Sequence, residues 1–533
     1  MKHLFNKNRL VAILSLLLLV GSFYTCKNPL ENFNITINSN ISGTTVSLMV
    51  TNANPQSAEQ TPPNLKLKIE GKDASKIYEI SGTDNFVPQK GAIDLIVNPT
   101  VVPTSSNPIE FTVVASAPGY MDVNYAISIG DTGNYNYGIT MVKLNDAPAG
   151  VSAMVSNLNL GTDGKVTTTQ TLETPSSPNK SENVKLSIPA GTIMLDAEGK
   201  PVTGSVQLAM AHHDNRTIES ITSFPGGLFA PDVFDKDGKP MDPVSFETLG
   251  LVNIEIGNAT QKVKSFSQPI IATVELNTSS INPLTNIAIK EGDSVPIWSR
   301  DQTTGAWTLE GYQFITKDPT TNKLVVDMRV SHLSPWNIDW FWWSWWSWRP
   351  WPVCNQPRVT INSNISNRIY YELVNDWGGW VDWGYRTLRA GSNVLTFNAQ
   401  QGRNARLRVY NGANWWSRGS LITQTNLFSL CGGSANINVN FPVPVTVDIQ
   451  VAGNCPNNRV IKPSLSIYFK NNGWWEYLGY MQNGRLVTTK FELGKTYTFG
   501  ANYNGKWYEY TRLVDKTNYN EVMQFSGSEG VCK

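Results

Sequence analysis

Charge is scarce in this chain. Lys, Arg, Asp and Glu make up 16% of its 533 residues, against roughly 25% in an ordinary soluble protein. The formal net charge is +1, which leaves no basic footprint for nucleic acid. Histidine is rarer still, at four residues, so a metal site built on imidazole has little to draw on. Tryptophan is missing from the first 297 residues, and all 18 come later. Long helical periodicities are absent, which argues against a bundle or coiled coil. The GxSxG, HExxH and Walker patterns of common hydrolases and nucleotide enzymes do not occur. Neither does a CxxC pair, the usual mark of a structural zinc site.

What is present is turn chemistry. Gly, Pro, Asn, Ser and Thr are abundant and separate short alternating runs, which predicts an all-β chain. Its length exceeds what one core can organise, so several domains are expected. The N-terminus reads as a targeting segment. Lys2, Lys7 and Arg9 precede the apolar run "LVAILSLLLLVG", and Cys26 follows it. The run is too short to span a bilayer, which needs about twenty residues. Its pattern resembles bacterial lipoprotein signals of the looser Bacteroidota type, which implies a signal peptide over 1–25. It further implies lipidation at Cys26, by palmitate-like chains, and a tether over 26–33.

Residues 34–146 alternate in segments such as "TVSLMVT", "AIDLIVNP" and "IEFTVVAS". That pattern predicts a half-buried antiparallel β-sandwich, and it resembles immunoglobulin-like modules. "LNDAPAGVSA" is the linker that follows. Residues 150–340 form the next unit, with "DAEGKP" and "FDKDGKPMD" as hairpin turns whose Gly tolerates positive φ. Asp235, Asp237 and Asp242 lack the remaining ligands of a calcium loop, so they are expected to make a plain turn. "SIPAGTIMLDAEGKPVTGSVQLAM", "GDSVPIWSRDQTTGAWTLEG" and "VSHLSPWNID" occur here in that order. Together they resemble the β-sandwich module of cartilage intermediate layer protein and carboxypeptidase-regulatory-like domains. The resemblance implies a secreted or surface scaffold with no agreed catalytic activity.

The tail divides into a Trp-rich junction over 341–353 and two β repeats over 354–440 and 441–533. "GWVDWGY" matches "GWWEYLGY", "AGSNVLTFNA" matches "LGKTYTFGA", and "YNGANWW" matches "YNGKWY", in the same order. Apart from Cys26, four cysteines remain, and Cys354–Cys431 and Cys455–Cys532 are each separated by 77 positions. An even number in an exported chain predicts two bridges, one closing each repeat.

Three groups are candidates for chemistry. His212 and Asp214 share a strand face, whereas His213 points the other way, so a metal site there lacks ligands and none is expected. His332, Leu333 and Ser334 match the tripeptide at which some related β-sandwiches cut themselves. The resemblance implies an alternative role in which Ser334 is nucleophile and His332 its base, acting on the Leu333–Ser334 bond. The third group is aromatic. Eight Trp fall between Trp336 and Trp351, and alternation puts Trp340, Trp342, Trp346 and Trp348 on one face. Phe341, Trp343, Trp345 and Trp351 fall on the other. Both faces are aromatic, so the segment is either held between two surfaces or partly exposed.

These readings converge on four tandem β-sandwich-like domains of a lipid-anchored protein at the outer membrane or cell surface. The expected role is non-catalytic, binding or adhesive. The first two units should lift the tail away from the membrane. The tail would bind a glycan, or another envelope protein, through Trp343, Trp345, Trp346, Trp348, Trp380, Trp415, Trp416, Trp474 and Trp475. No cofactor, metal or nucleic acid is expected, and a structural spacer is the other alternative.

Overall fold

The computed structural model describes residues 43–524, except 105, 177–181, 225, 231, 259, 344–354, 366, 377, 398–402, 413–418, 442–445, 456–459, 472–473, 489, 492 and 504–505. Its elements are almost all β-strands, arranged as four successive sandwiches. In the first, Ile77–Glu79, Ala92–Val97, Thr44–Asn52 and Gly133–Met141 form one sheet. Lys66–Glu70, Ile109–Ser116 and Val123–Ile129 form the other. The two-residue side-chain period of a strand turns Val46, Leu48 and Val50 to the core between them, with Ile93, Leu95 and Val97. The expected sandwich is there, but it is not wholly antiparallel. Thr44–Asn52 pairs in parallel with Gly133–Met141, so the first strand of the unit lies beside its last.

The second sandwich is the largest. Its nine-stranded sheet includes Val151–Asn159, Ser205–His213, Val244–Gly257, Trp336–Trp343, Ser294–Arg300 and Trp307–Phe314. It packs on a six-stranded sheet that includes Val184–Ile188, Ser265–Glu275 and Leu324–His332. Val206, Leu208 and Met210 enter the core, while Ala209 and Ala211 on the opposite face meet Met121, Val142 and Leu144 of the first unit. The two Gly turns form as the sequence predicts. Asp235 Oδ1 accepts the backbone N–H groups of Asp237 and Lys239, and Gly238 takes φ +76. That carboxylate is engaged by its own turn.

The third and fourth sandwiches share one topology. In the third, Gly391–Thr396, Arg358–Ser363 and Ser434–Val439 face a sheet of Trp380–Leu388, Asn367–Asn375, Asn404–Tyr410 and Leu421–Gln424. In the fourth, Arg485–Thr488, Val447–Asn454 and Asn518–Gln524 face Trp474–Met481, Leu465–Asn471, Lys495–Tyr503 and Lys506–Val514 in the same order. This correspondence corrects one of the three sequence matches. "AGSNVLTFNA" supplies Gly391–Thr396, whose counterpart is Arg485–Thr488, whereas "LGKTYTFGA" supplies Lys495–Tyr503, whose counterpart is Asn404–Tyr410. Two strands of similar alternation, one in each sheet, had been equated.

In both repeats the first strand runs parallel to the last. In the sequence Cys354 precedes Arg358–Ser363 by four positions and Cys431 precedes Ser434–Val439 by three, and these two strands are the parallel pair. Gly432 N–H donates to the Asn355 carbonyl at 2.8 Å there. In the sequence Cys455 directly follows Val447–Asn454, and Cys532 comes eight positions after Asn518–Gln524. The equal spacing therefore does not come from equivalent positions. Cys431 and Cys455 are both disulfide-bonded; Cys354 and Cys532 lie outside the described residues, and the expected pairing lies there with them.

The four units form a closed circuit. The first meets the second through the Lys262–Asp122 ion pair and through Arg300 Nη1, which donates to the Asn124 carbonyl at 3.2 Å. The second meets the third through Phe341, Trp380 and Trp383 and an Arg403–Glu247 ion pair of 3.4 Å. The Arg368 guanidinium of the third lies over the Tyr477 ring of the fourth, 5.9 Å from its centroid. The fourth returns to the first, where Asn502 Nδ2 donates to the Ala92 carbonyl at 3.0 Å. Non-reducing peptide mapping is expected to recover Cys354 joined to Cys431 and Cys455 joined to Cys532. A Cys431–Cys455 peptide would contradict the parallel-strand argument.

Candidate functional site

The aromatic strand Trp336–Trp343 is covered on both faces as far as its side chains are described. Trp336, Ile338 and Trp340 enter the second unit's core, and Trp340 Nε1 donates to the Ser294 carbonyl at 3.2 Å. On the other face Asn337 and Asp339 are fully buried, and burial raises the Asp339 carboxyl well above the usual range. Trp298 Nε1 donates to the Asp339 carbonyl oxygen at 3.1 Å. Phe341 stands edge-on to Trp298 at 5.0 Å. Phe246 stands edge-on to both Trp298 and Trp307, at 5.3 and 5.1 Å. Trp380 and Trp383 of the third unit pack against this cluster and are half-buried.

A second aromatic seam joins the fourth unit to the first. Trp475 and Trp507 lie edge-to-face at 4.9 Å, and Trp507 lies 5.7 Å from Tyr468. Together with Tyr477 they pack against Met49 and Ala92. Gly500 lies beneath them. A Cβ there would stand 2.2 Å from the Trp507 ring and 2.7 Å from Trp475, so only glycine admits the pair. Of the nine expected ligand-binding Trp, then, Trp380 and Trp475 are half-buried in two different seams. Trp345, Trp346, Trp348, Trp415 and Trp416, and the side chains of Trp343 and Trp474, lie outside the described residues.

His332 and Ser334 do meet. His332 Nδ1 is 3.0 Å from Ser334 Oγ. On its other side, Nε2 is 3.2 Å from Glu310 Oε1, which also accepts a 2.6 Å hydrogen bond from Ser299 Oγ. Burial pushes the Glu310 carboxyl up, but the hydrogen bonds from His332 and Ser299 outweigh it and hold the group below its ordinary value. A hydroxyl, an imidazole and an orienting carboxylate in sequence are the parts of a nucleophile-activating relay. Sequence reading missed Glu310, because it comes from Trp307–Phe314 in the opposite sheet and no local motif marks it. Leu333–Pro335 connect Leu324–His332 of one sheet to Trp336–Trp343 of the other, with a bend at Ser334, and Leu333 N–H donates to Lys264 O while Arg300 N–H donates to Pro335 O.

No protein-family model matches this chain. No curated protein matches it either. Among solved structures it is similar to a streptococcal ancillary pilin at 10% identity, over 46% of this chain and 94% of that one, with a TM-score of 0.14. The Bacillus cereus major pilin subunit BcpA gives 8% identity over 91% and 99%, with a TM-score of 0.13. The Lactobacillus rhamnosus GG pilus adhesin SpaC, open conformation, gives 10% identity over 87% and 55%, also with a TM-score of 0.13. At TM-scores this low the likeness carries no conclusion about architecture or role.

His212 and His213 point to opposite faces of their strand, as a two-residue period requires. Among the described residues, no group of three or more metal-ligating side chains occurs. His213 Nδ1 is 3.1 Å from the Ser220 carbonyl on the outer side, whereas His212 lies inward at 1% exposure. Burial pushes the His212 imidazole down to about 3 and that of His213 down to about 4. Both are therefore neutral in the fold and take up protons on unfolding below about pH 6.5. The unfolded state binds the more protons there, so stability falls as pH drops from 6.5 toward 4. Tryptophan-fluorescence unfolding is expected to show the second unit losing on the order of 2–3 kcal/mol for each ring between pH 7 and 4.5. His212→Leu should flatten that dependence.

Proposed function

We propose that the chain is an exported, lipid-tethered protein of the bacterial envelope that binds or scaffolds and does not catalyse, with a glycan as the ligand of its aromatic tail. The N-terminal pattern ending at Cys26 supports the tether. One observation carries the binding role. The core of the second unit is already closed by Trp336, Ile338 and Trp340, and the face beyond is already filled by Phe341, Trp380 and Trp383. The chain nevertheless continues with Trp345, Trp346, Trp348 and Trp351. A flat indole with one polar N–H suits the apolar face of a sugar.

The test is retention of the full chain, without residues 1–25, on a panel of insoluble polysaccharides. Replacing Trp345, Trp346 and Trp348 by Ala is expected to weaken retention by on the order of tenfold per ring. The Cys26→Ser protein should move from the membrane to the soluble fraction. Failure to bind any polysaccharide would overturn the glycan assignment and leave a protein-binding or spacer role.

The contact between His332 and Ser334 favours a second reading. Ser334 Oγ would attack the Leu333 carbonyl carbon and pass its proton to His332, which Glu310 orients. The amide would then shift to an ester on Ser334, and water would release a Leu333 carboxylate and a free Ser334 amine. Neither Leu333 nor Ser334 takes a positive φ, so the backbone there shows no strain to drive that shift, and purified protein is expected to give one intact mass. Two fragments divided at Leu333–Ser334, absent from Ser334→Ala, would establish the cut.

A further inference from the structure

The seam between the first and fourth units contains a buried carboxyl. Ala92–Val97 is buried throughout. Ile93, Leu95 and Val97 face the first unit's own core, while Ala92 and Asp94 face the fourth unit. Across the seam Ser466 and Tyr468 alternate with Ile467 and Phe469, which face the fourth unit's core. Ser47, directly opposite Asp94 in the strand register, shares a 2.5 Å hydrogen bond with Ser466, 419 positions away. Those two hydroxyls are thus engaged with each other. Asp94 is 1% exposed, and neither of its carboxyl oxygens has a well-formed hydrogen bond. The Tyr468 hydroxyl is likewise buried without a partner.

We propose that this seam is a clasp governed by the charge on Asp94, closed over the aromatic face of the fourth unit when the carboxyl is neutral and released when it ionises. The clasp would regulate the aromatic binding of the preceding section, since Trp475 and Trp507 are among the rings that it covers.

The charged and titratable neighbours give the sign. Glu79, on the adjacent strand Ile77–Glu79, acts against a second negative charge. Tyr468, Tyr477 and Tyr480 face Asp94 from the fourth unit, and each has its phenol held protonated, by burial first and by Asp94 second. Arg368 lies over Tyr477, and Lys490 Nζ donates to the Tyr477 carbonyl. Neither cation hydrogen-bonds to Asp94, whose carboxyl oxygens have no partner among the described residues. Burial therefore pushes the Asp94 carboxyl up to about 6, the serine hydroxyls hold it down in part, and Glu79 adds to the rise. In an undocked first unit the same group returns to about 4. The docked form binds the more protons between these values, so closure strengthens as pH falls and weakens as it rises. The docking equilibrium changes by roughly a hundredfold across the window.

Hydroxyl-radical footprinting of the full chain between pH 4.5 and 7.5 tests this, with Trp298, buried in the second unit, as internal reference. Oxidation of Tyr468, Trp475 and Trp507 is expected to rise several-fold through about pH 6. Asp94→Asn should stay protected throughout, and Ser466→Arg, which places a charge in the seam, should be oxidised at every pH. A flat wild-type profile, or Asp94→Asn following the wild type, overturns the clasp. Should Asp94→Asn not fold, the wild-type series and Ser466→Arg decide alone: equal protection in both overturns it. No ligand enters the measurement, so its outcome is independent of whether the tail binds a glycan.

Discussion

A β-sandwich has four sheet faces, and only two of them are used by its own core. What becomes of the outer faces governs this molecule. Thr44–Asn52 and Ala92–Val97 are buried on both sides, because the fourth unit covers the outer face of the first. Ala209 and Ala211 are buried outward for the same reason, against the first unit. Trp336–Trp343 is closed in by its own core on one side and by the third unit on the other. Small cores of about 80 residues bury too little apolar surface to be secure alone, and shared faces add to it at roughly 25 cal/mol per Å². Each sandwich is thereby stabilised by its neighbours, and removing one unit uncovers apolar surface on two others.

Such coverage has a cost wherever a polar group lies on the shared face. Asp94, Asp339 and Glu255 are buried there, as His212 is on the inner side of the second unit, and each is driven toward its neutral form by loss of water. Glu255 is raised by burial and by Asp122, and it lines a cavity of about 920 Å³ between the first two units with Lys68, Glu70 and Lys262. The imidazoles and the carboxyls act in opposite directions. Acid weakens the units that hold neutral His, and base weakens the seams that hold neutral Asp or Glu. Stability of single units and stability of their docking are thus set by different groups and respond to pH with opposite sign.

The class of the fold was legible because alternation and turn residues depend only on near neighbours along the chain. "DAEGKP" and "FDKDGKPMD" formed their turns, and the His212–His213 pair split across its strand, on local grounds alone. What covers a strand's second face is not a local property. "AIDLIV" reads as an ordinary half-buried strand, with its Asp in water, until a unit 370 positions away arrives. Glu310 escaped notice for the same reason, since its partner His332 lies in the facing sheet. The swapped repeat match had another cause. "NVLTF" and "TYTFG" have the same alternation, and alternation does not say which of two sheets a strand joins.

The aromatic residues bring these threads together. An indole that fills a seam and an indole that stacks on a ligand have the same requirement, a flat apolar partner with a nearby acceptor for the N–H. Sequence cannot separate the two uses, and the fold separates them by supply. Around Phe341, Trp298 stands edge-on and Trp380 and Trp383 pack against the same cluster. Around Met49 and Ala92 the partners are supplied by another unit of the same chain, so those rings are satisfied only while the two units touch. This second set is conditional on docking. Gly500 shows how closely the conditional set is fitted, since one added methyl group would collide with both Trp475 and Trp507. A face shaped that tightly to its own aromatic pair depends on the shape of that pair as well as on hydrophobicity, and the carboxyl of Asp94 is buried in the same seam, opposite Ser47 in the strand register.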